Sequence, residues 1–446
     1  MKVSGSSTIA LGAALLAGWV FAAPALAAEP PAWGEAEIRA SRIVHHAPGT
    51  LPDKVQFTAD PMGLIVVVES GDHHVTILDG DRLMPIHRFQ SRVALRGSPQ
   101  FTPDGRHVFF ASRDGWISRF DLWNLRTVAE IRAGIDTRNV AVSGDGRYIA
   151  VANGLPHTLV ILDADLQLVK ILPVADKDGR RGSRVSAVYR AAPRRSFVAA
   201  LQDVRELWEV SYDPGAPEVA LGMVHDFRYR EGAFVPGFLN PKRSILDDYL
   251  DDICFTPDYN ELMGVSREGR QGQVIHLDVR RRIAALDLPG VPHAGAGITW
   301  TRRGRRVMAI PNLAEGIVTI IDVNDWRPIK QIKVLGPGFF MTTHENSRYA
   351  WVDAMMSPAH KDTMQVLDKD TLEIVATLTP AAGKNLGHVG LTRDGRYALV
   401  SQVETDGALI VYDAATLEEI KRIPVKQPAG AYNVRNQIRR PDSTSR

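Results

Sequence analysis

Thirteen histidines and a single cysteine, Cys254, bound the chemistry open to this chain of 446 residues. One thiol cannot form a disulfide within the chain, a cysteine zinc site or a Cys-x-x-Cys-His haem attachment site. Two histidines stand apart by context. Gly290-Val-Pro-His293-Ala-Gly-Ala-Gly297 and Gly387-His388-Val-Gly390 each precede an apolar, strand-like run, and small neighbours let a flat ligand come close to the backbone. Imidazole titrates near neutral pH and ligates metals, so either ring suits proton transfer or iron binding. Arg113 and Arg138, the latter in Asp136-Thr-Arg138-Asn139-Val, hold comparable positions, and guanidinium forks match carboxylates bidentately. Tyr432 follows Pro428-Ala-Gly430 near the C-terminus, where a chain end can lie across a channel mouth. By spacing alone, ordinary turns remain the alternative to convergence. His45, His46, His73, His74, His87 and His107 read as surface or loop residues. Asp72-His73-His74 is set aside as a metal site, because adjacent strand residues point to opposite faces.

Elements that could position these groups repeat along the chain. The unit is a strand, a turn, a second strand, a loop, a third strand ending in Asp, a turn and a fourth strand. Phe101-Thr-Pro-Asp-Gly-Arg to Asp121 shows it, as do Val142-Ser-Gly-Asp-Gly-Arg to Asp163, Thr299 to Asp322, His344 to Asp368 and Leu391-Thr-Arg-Asp-Gly-Arg to Asp413. Weaker copies start near Phe57, near Val188 and at Phe255. About eight units at a period of roughly 40–48 residues predict an all-β, eight-bladed β-propeller. The Asp-Gly pairs at 104–105, 145–146 and 394–395 mark hairpin turns. An insertion is expected between about Ser211 and Asp252, with Ser244 to Leu250 the best short helix. By repeat phase the first strand of each blade is innermost, so the loops before it open on the channel.

The formal net charge of +2 gives no long-range field for nucleic acid or an anionic membrane. Lys2, the apolar run Ile9 to Ala22 and Ala25-Leu26-Ala27 form a secretory signal peptide over 1–27, too short and wrongly flanked for a membrane span. The expected layout is an N-terminal extension over 28–50, the propeller over 51–440 and a tail over 441–446. A nearly cysteine-free exported protein suits the periplasm.

Several loop segments bear a resemblance. Arg113-Asp-Gly-Trp-Ile-Ser-Arg-Phe-Asp-Leu-Trp, Thr137-Arg138-Asn139-Val-Ala-Val-Ser, Leu288-Pro-Gly-Val-Pro-His293, Leu335-Gly-Pro-Gly-Phe-Phe340 and Pro428-Ala-Gly-Ala-Tyr-Asn-Val434 resemble the haem d1 domain of cytochrome cd1 nitrite reductases and their relatives. The similarity runs from about Leu64 to Ile438 and is strongest with the dihydro-haem d1 dehydrogenase branch. It implies haem d1, or dihydro-haem d1 as substrate, with His388 on the iron and His293 as catalytic base beside a supporting Tyr432. It also implies that Arg113 and Arg138 hold the acidic side chains, and that Asn139, Phe340 and Gly430 contact the macrocycle. Departures from the nitrite reductases are specific. Arg96-Gly97-Ser98-Pro99 lacks their iron-ligating histidine, and Asp251 stands in place of one of their two proton-donating histidines. No c-type haem motif is present, so the resemblance implies a separate c-type cytochrome or nitrite reductase as partner. The rival expectations are a non-catalytic haem d1 carrier, a nitrite reductase-like domain and a cofactor-free interaction propeller.

Overall fold

A computed structural model describes residues 33–226, 231–265 and 271–439; the expected signal peptide and the tail lie outside them. Eight four-stranded antiparallel sheets follow one another along the chain. Their inner strands are Leu95–Phe101, Asp136–Val142, Val185–Ala191, Asp252–Phe255, Ile298–Arg302, Met341–Thr343 and Leu386–Leu391 for blades 2 to 8. Most are short runs containing β-branched or aromatic residues, which fit a pleated, half-buried surface, whereas Leu95–Phe101 and Leu386–Leu391 are rich in small residues instead. The sheets pack face to face, with one apolar cluster between each neighbouring pair and one between blades 8 and 1. The core is therefore a ring of eight seams.

Blade 1 departs from the expectation of a first strand near Phe57. Its inner strand is Pro428–Asn433, taken from the end of the chain and paired antiparallel to Leu64–Glu69. Phe57 lies outside any strand and packs against the seam between blades 1 and 2. Closing the ring in this way removes two free edges at once. Tyr432 is thus a strand residue rather than part of a loose end. His388 likewise lies within Leu386–Leu391 instead of in a turn ahead of it.

The expected insertion contains a structural strand. Pro241–Ile245 is the outer strand of blade 4, paired with Glu206–Ser211, and only the hairpin Val219–Asp226/Glu231–Val235 is inserted. No helix forms over Ser244 to Leu250. Ser244 is buried in the ladder opposite Leu207 while Ile245 is 54% exposed, which is strand alternation. Ahead of the propeller, helix Glu35–Ala40 buries Ile38, and Ile43–Val44 adds a fifth strand to blade 2. A last helix, Val434–Arg439, is fixed by Asn436, whose amide donates to the carbonyls of Leu391 and Thr392. None of the helices among the described residues is long and apolar enough to cross a membrane.

Candidate functional site

Strand phase brings the singled-out residues to one end of the channel. Arg138, His388 and Gly430 are each the third residue of an inner strand, and Tyr432 is the fifth. Phe340 directly precedes the inner strand of blade 7, His293 caps a short 3-10 turn ahead of that of blade 6, and Arg113 directly follows the second strand of blade 2. Around that rim, blades 6, 7, 8 and 1 present a continuous series of rings. Successive centroid distances are 4.5 Å from His293 to Phe339, 4.7 Å to Phe340, 5.2 Å to His388 and 4.7 Å to Tyr432. His293, Phe340 and His388 line one cavity. The arginines come from the other blades: Arg113 from blade 2 and Arg138 from blade 3.

His293 is 3% exposed. Its Nδ1 lies 2.8 Å from the carbonyl of Phe339 and so carries the proton that this oxygen accepts. Nε2 faces a carboxylate oxygen of Asp252 at 3.5 Å. Asp252, 4% exposed, accepts from the Tyr189 hydroxyl at 2.7 Å, the Ile253 N–H at 3.1 Å and the Gly295 N–H at 2.5 Å. A Cβ on Gly295 would strike that carboxylate, so glycine is required there. A proton taken up by Nε2 is met at once by a buried negative charge, which stabilises the imidazolium. Asp252 and Tyr189 escaped the sequence reading. The only available signal was an acidic residue opening the apolar inner strand Asp252–Phe255.

The Phe339 carbonyl is held from behind. Asp353, itself buried, accepts from the N–H groups of Phe339, Phe340 and Met355 at 3.0, 2.5 and 2.9 Å. Burial outweighs these donors and raises its carboxyl from 3.8 to about 6. The charged form is thus disfavoured in the fold: the contribution to stability is complete below pH 3.8 and is lost as pH rises through 6. The swing is on the order of 3 kcal/mol. Asp353→Asn, which cannot titrate, should therefore show a melting-temperature deficit against wild type that shrinks between pH 4 and 7.5. A deficit independent of pH would show that this carboxyl does not titrate there.

His388 is half-buried, and its Nδ1 is 3.4 Å from the Ala431 N–H, the long limit of a hydrogen bond. Tyr432 is 3% exposed, and burial pushes its hydroxyl far above the usual tyrosine value. It stays protonated and can donate. Gly430 is where it is because a side chain there would meet the Tyr432 ring.

Arg113 is exposed, and Arg138 is half-buried with Nε 3.3 Å from the Ser186 carbonyl. The backbone of Arg113 bridges Ala94 and Thr137, tying blade 2 to blade 3. Asn139, one residue on, also reaches blade 4. Its amide donates to the Val188 carbonyl at 2.8 Å and accepts from the Val188 N–H at 3.0 Å, so it clamps blade 3 to blade 4. Asp251 is 8% exposed beside Asp252. Among the described residues no group of three or more His, Cys, Asp or Glu could hold a metal ion, and His74 is paired with Asp72 at 3.2 Å. The two imidazoles and the flat aromatic walls of the rim fit an iron tetrapyrrole rather than a bare ion, and Arg113 and Arg138, which lie outside the cavity that His293 and His388 line, are cations suited to its carboxylates.

Comparison with known proteins agrees with this geometry. Residues 59–229 and 237–437 match the family described as "Cytochrome D1 heme domain". The chain is 53% identical to the dihydro-heme d1 dehydrogenase of Pseudomonas aeruginosa over 93% of its own length and 80% of that protein. It is 27% identical to the protein NirF of the same organism, over 82% of this chain and 90% of the relative. Nitrite reductase of Stutzerimonas stutzeri is 24% identical, over 89% of this chain and 79% of that protein. Among solved structures, dihydro-heme d1 dehydrogenase NirN in complex with DHE matches with a TM-score of 0.85 and 52% identity, covering 92% of this chain and 84% of that one.

Proposed function

The chain belongs to the cytochrome D1 haem domain family, and on that premise we propose that it acts in haem d1 biosynthesis, oxidising a propionate side chain of dihydro-haem d1 to an acrylate. The observation that carries this reading is the buried Asp252–His293 pair, set in a ring-lined rim next to Phe340 and His388. The 53% identity to a dihydro-heme d1 dehydrogenase supports it.

Making an acrylate from a propionate removes two protons and two electrons. His293 takes one of these protons from the side-chain carbon, Asp252 stabilises the resulting imidazolium, and the second proton is released to water as the two electrons leave. Tyr432, protonated throughout, donates to the substrate and orients it. Arg113 and Arg138 bind the acidic side chains so that one propionate faces His293, since positioning alone lowers a barrier substantially. His388 would hold the iron, and a protein ligand is one lever on its potential. The conjugated macrocycle supplies a path for the electrons, which pass to a separate c-type cytochrome. The product is then handed to a nitrite reductase.

A carrier would need the arginines and His388 but no base, and the Asp252–His293 pair favours the enzyme over it. Incubating the purified protein with dihydro-haem d1 and a one-electron oxidant, then weighing the extracted macrocycle, tests the choice. A product lighter by two hydrogens is the expected result. Tight binding without conversion would favour the carrier, and no binding would sink both. The site of action is proposed to be the periplasm, with the chain beginning after Ala27 or Ala28; mass spectrometry of the exported protein checks this.

A further inference from the structure

A further cavity lies where the inner strands of blades 6 and 7 finish. It measures about 570 Å³ and is enclosed by the end of Ile298–Arg302 in blade 6, two turns of blade 7 and the helix Val434–Arg439. Its lining carries six cationic side chains, Arg302, Arg303, Arg348, Lys369, Arg435 and Arg439, against two carboxylates, Glu345 and Asp370. In a chain of net charge +2 this is a marked local excess. Part of it is balanced: Arg303 pairs with Asp370 at 3.2 Å, Arg348 with Asp368 at 2.5 Å and Arg439 with Glu345 at 3.9 Å.

Two guanidiniums are not balanced in this way. Arg302, half-buried, donates among the described residues only to the Asp370 carbonyl, at 2.7 Å. Arg435, also half-buried, makes no hydrogen bond or ion pair among the described residues. Removing part of a guanidinium's water without giving it an acceptor costs free energy that an anion would return. Its wall is rigid, because Asn436 pins the helix to blade 8. Trp300 adds a half-buried indole face, oriented by its ring N–H donating to the Lys369 carbonyl at 3.1 Å.

We propose that this chamber binds a small organic polycarboxylate, its apolar body against Trp300 and its carboxylates on Arg302 and Arg435. The cations stand on three separate elements, so one compact phosphate could not reach them together, whereas several carboxylates on one organic frame could. The volume lies within the range of small-molecule sites. This site is independent of the chemistry at the rim.

Isothermal titration of the full chain with benzene-1,3,5-tricarboxylate, citrate and inorganic phosphate tests it. The expected result is saturable binding of the tricarboxylates that weakens with added salt and is at least about tenfold weaker in Arg435→Gln and in Arg302→Gln. Melting temperatures of both variants, measured alongside, show that they fold. Binding of phosphate alone, no binding of either tricarboxylate, or affinities unchanged in two folded variants would overturn the proposal.

Discussion

His293→Ala is expected to bind dihydro-haem d1 with near-normal visible bands yet to lose conversion by about 10²–10⁴-fold, the usual share of a general base. His388→Ala should show the reverse signature, with shifted Soret and d1 bands even where the macrocycle still binds. The comparison is a fair one. His293 sits at the mouth of the channel ahead of its strand, and His388 is half-buried on the rim, so neither side chain belongs to an apolar seam. If His293→Ala moves the bands and His388→Ala only slows turnover, the two roles are exchanged. Full conversion by the double variant would remove both imidazoles from the reaction.

A second large effect is expected one residue further back. Asp252→Asn keeps the size of the side chain and an oxygen for Tyr189 or Gly295, but removes the negative charge 3.5 Å from His293 Nε2. The imidazolium then forms without its counter-charge. Turnover should fall by about 10²-fold, a share of the barrier comparable with other electrostatic contributions to catalysis. Binding of dihydro-haem d1 should change little. The decisive readout is the pH profile of kcat/KM. Without the carboxylate, His293 loses its proton more readily, so the acidic limb should move to lower pH. A slower enzyme with an unmoved limb would make Asp252 a brace for the Gly295 loop and nothing more.

The blades were legible because their signals are local. Thr102-Pro-Asp-Gly and Thr392-Arg-Asp-Gly turn the chain through a glycine at positive φ, with the Asp carboxylate accepting from the Thr hydroxyl, and such chemistry reads directly from four residues. Ring closure was not legible. Pro428-Ala-Gly430 looks like a loop by composition, and its pairing with Leu64–Glu69 depends on a partner over 350 positions away. The helix expected at Ser244 to Leu250 failed because its apolar spacing over so few residues suits either period, and the open edge of Glu206–Ser211 decided for a strand. At the site, His293, His388 and the arginines were visible through their glycine-rich or strand-start settings. Asp252 and Asp353 were not, since each looks like one more acidic residue at a strand end. Only folding shows that their oxygens face backbone N–H groups of another segment. Asn139 illustrates the limit: its amide is taken up by the backbone of Val188 in the next blade, a partner 49 positions away.

The strand that shuts the ring also carries Tyr432 and Gly430, and it is made last. During synthesis or export, seven blades can stack before the eighth seam has its final strand. The entropy of joining ends so far apart along the chain grows only with the logarithm of that distance, about 0.6 kcal/mol per doubling, so most of the closure penalty can be met by the stacking of the blades that precede it. Until Pro428–Asn433 docks, His388 lacks both its Ala431 contact and the ring beside it. Without that strand the rim is incomplete.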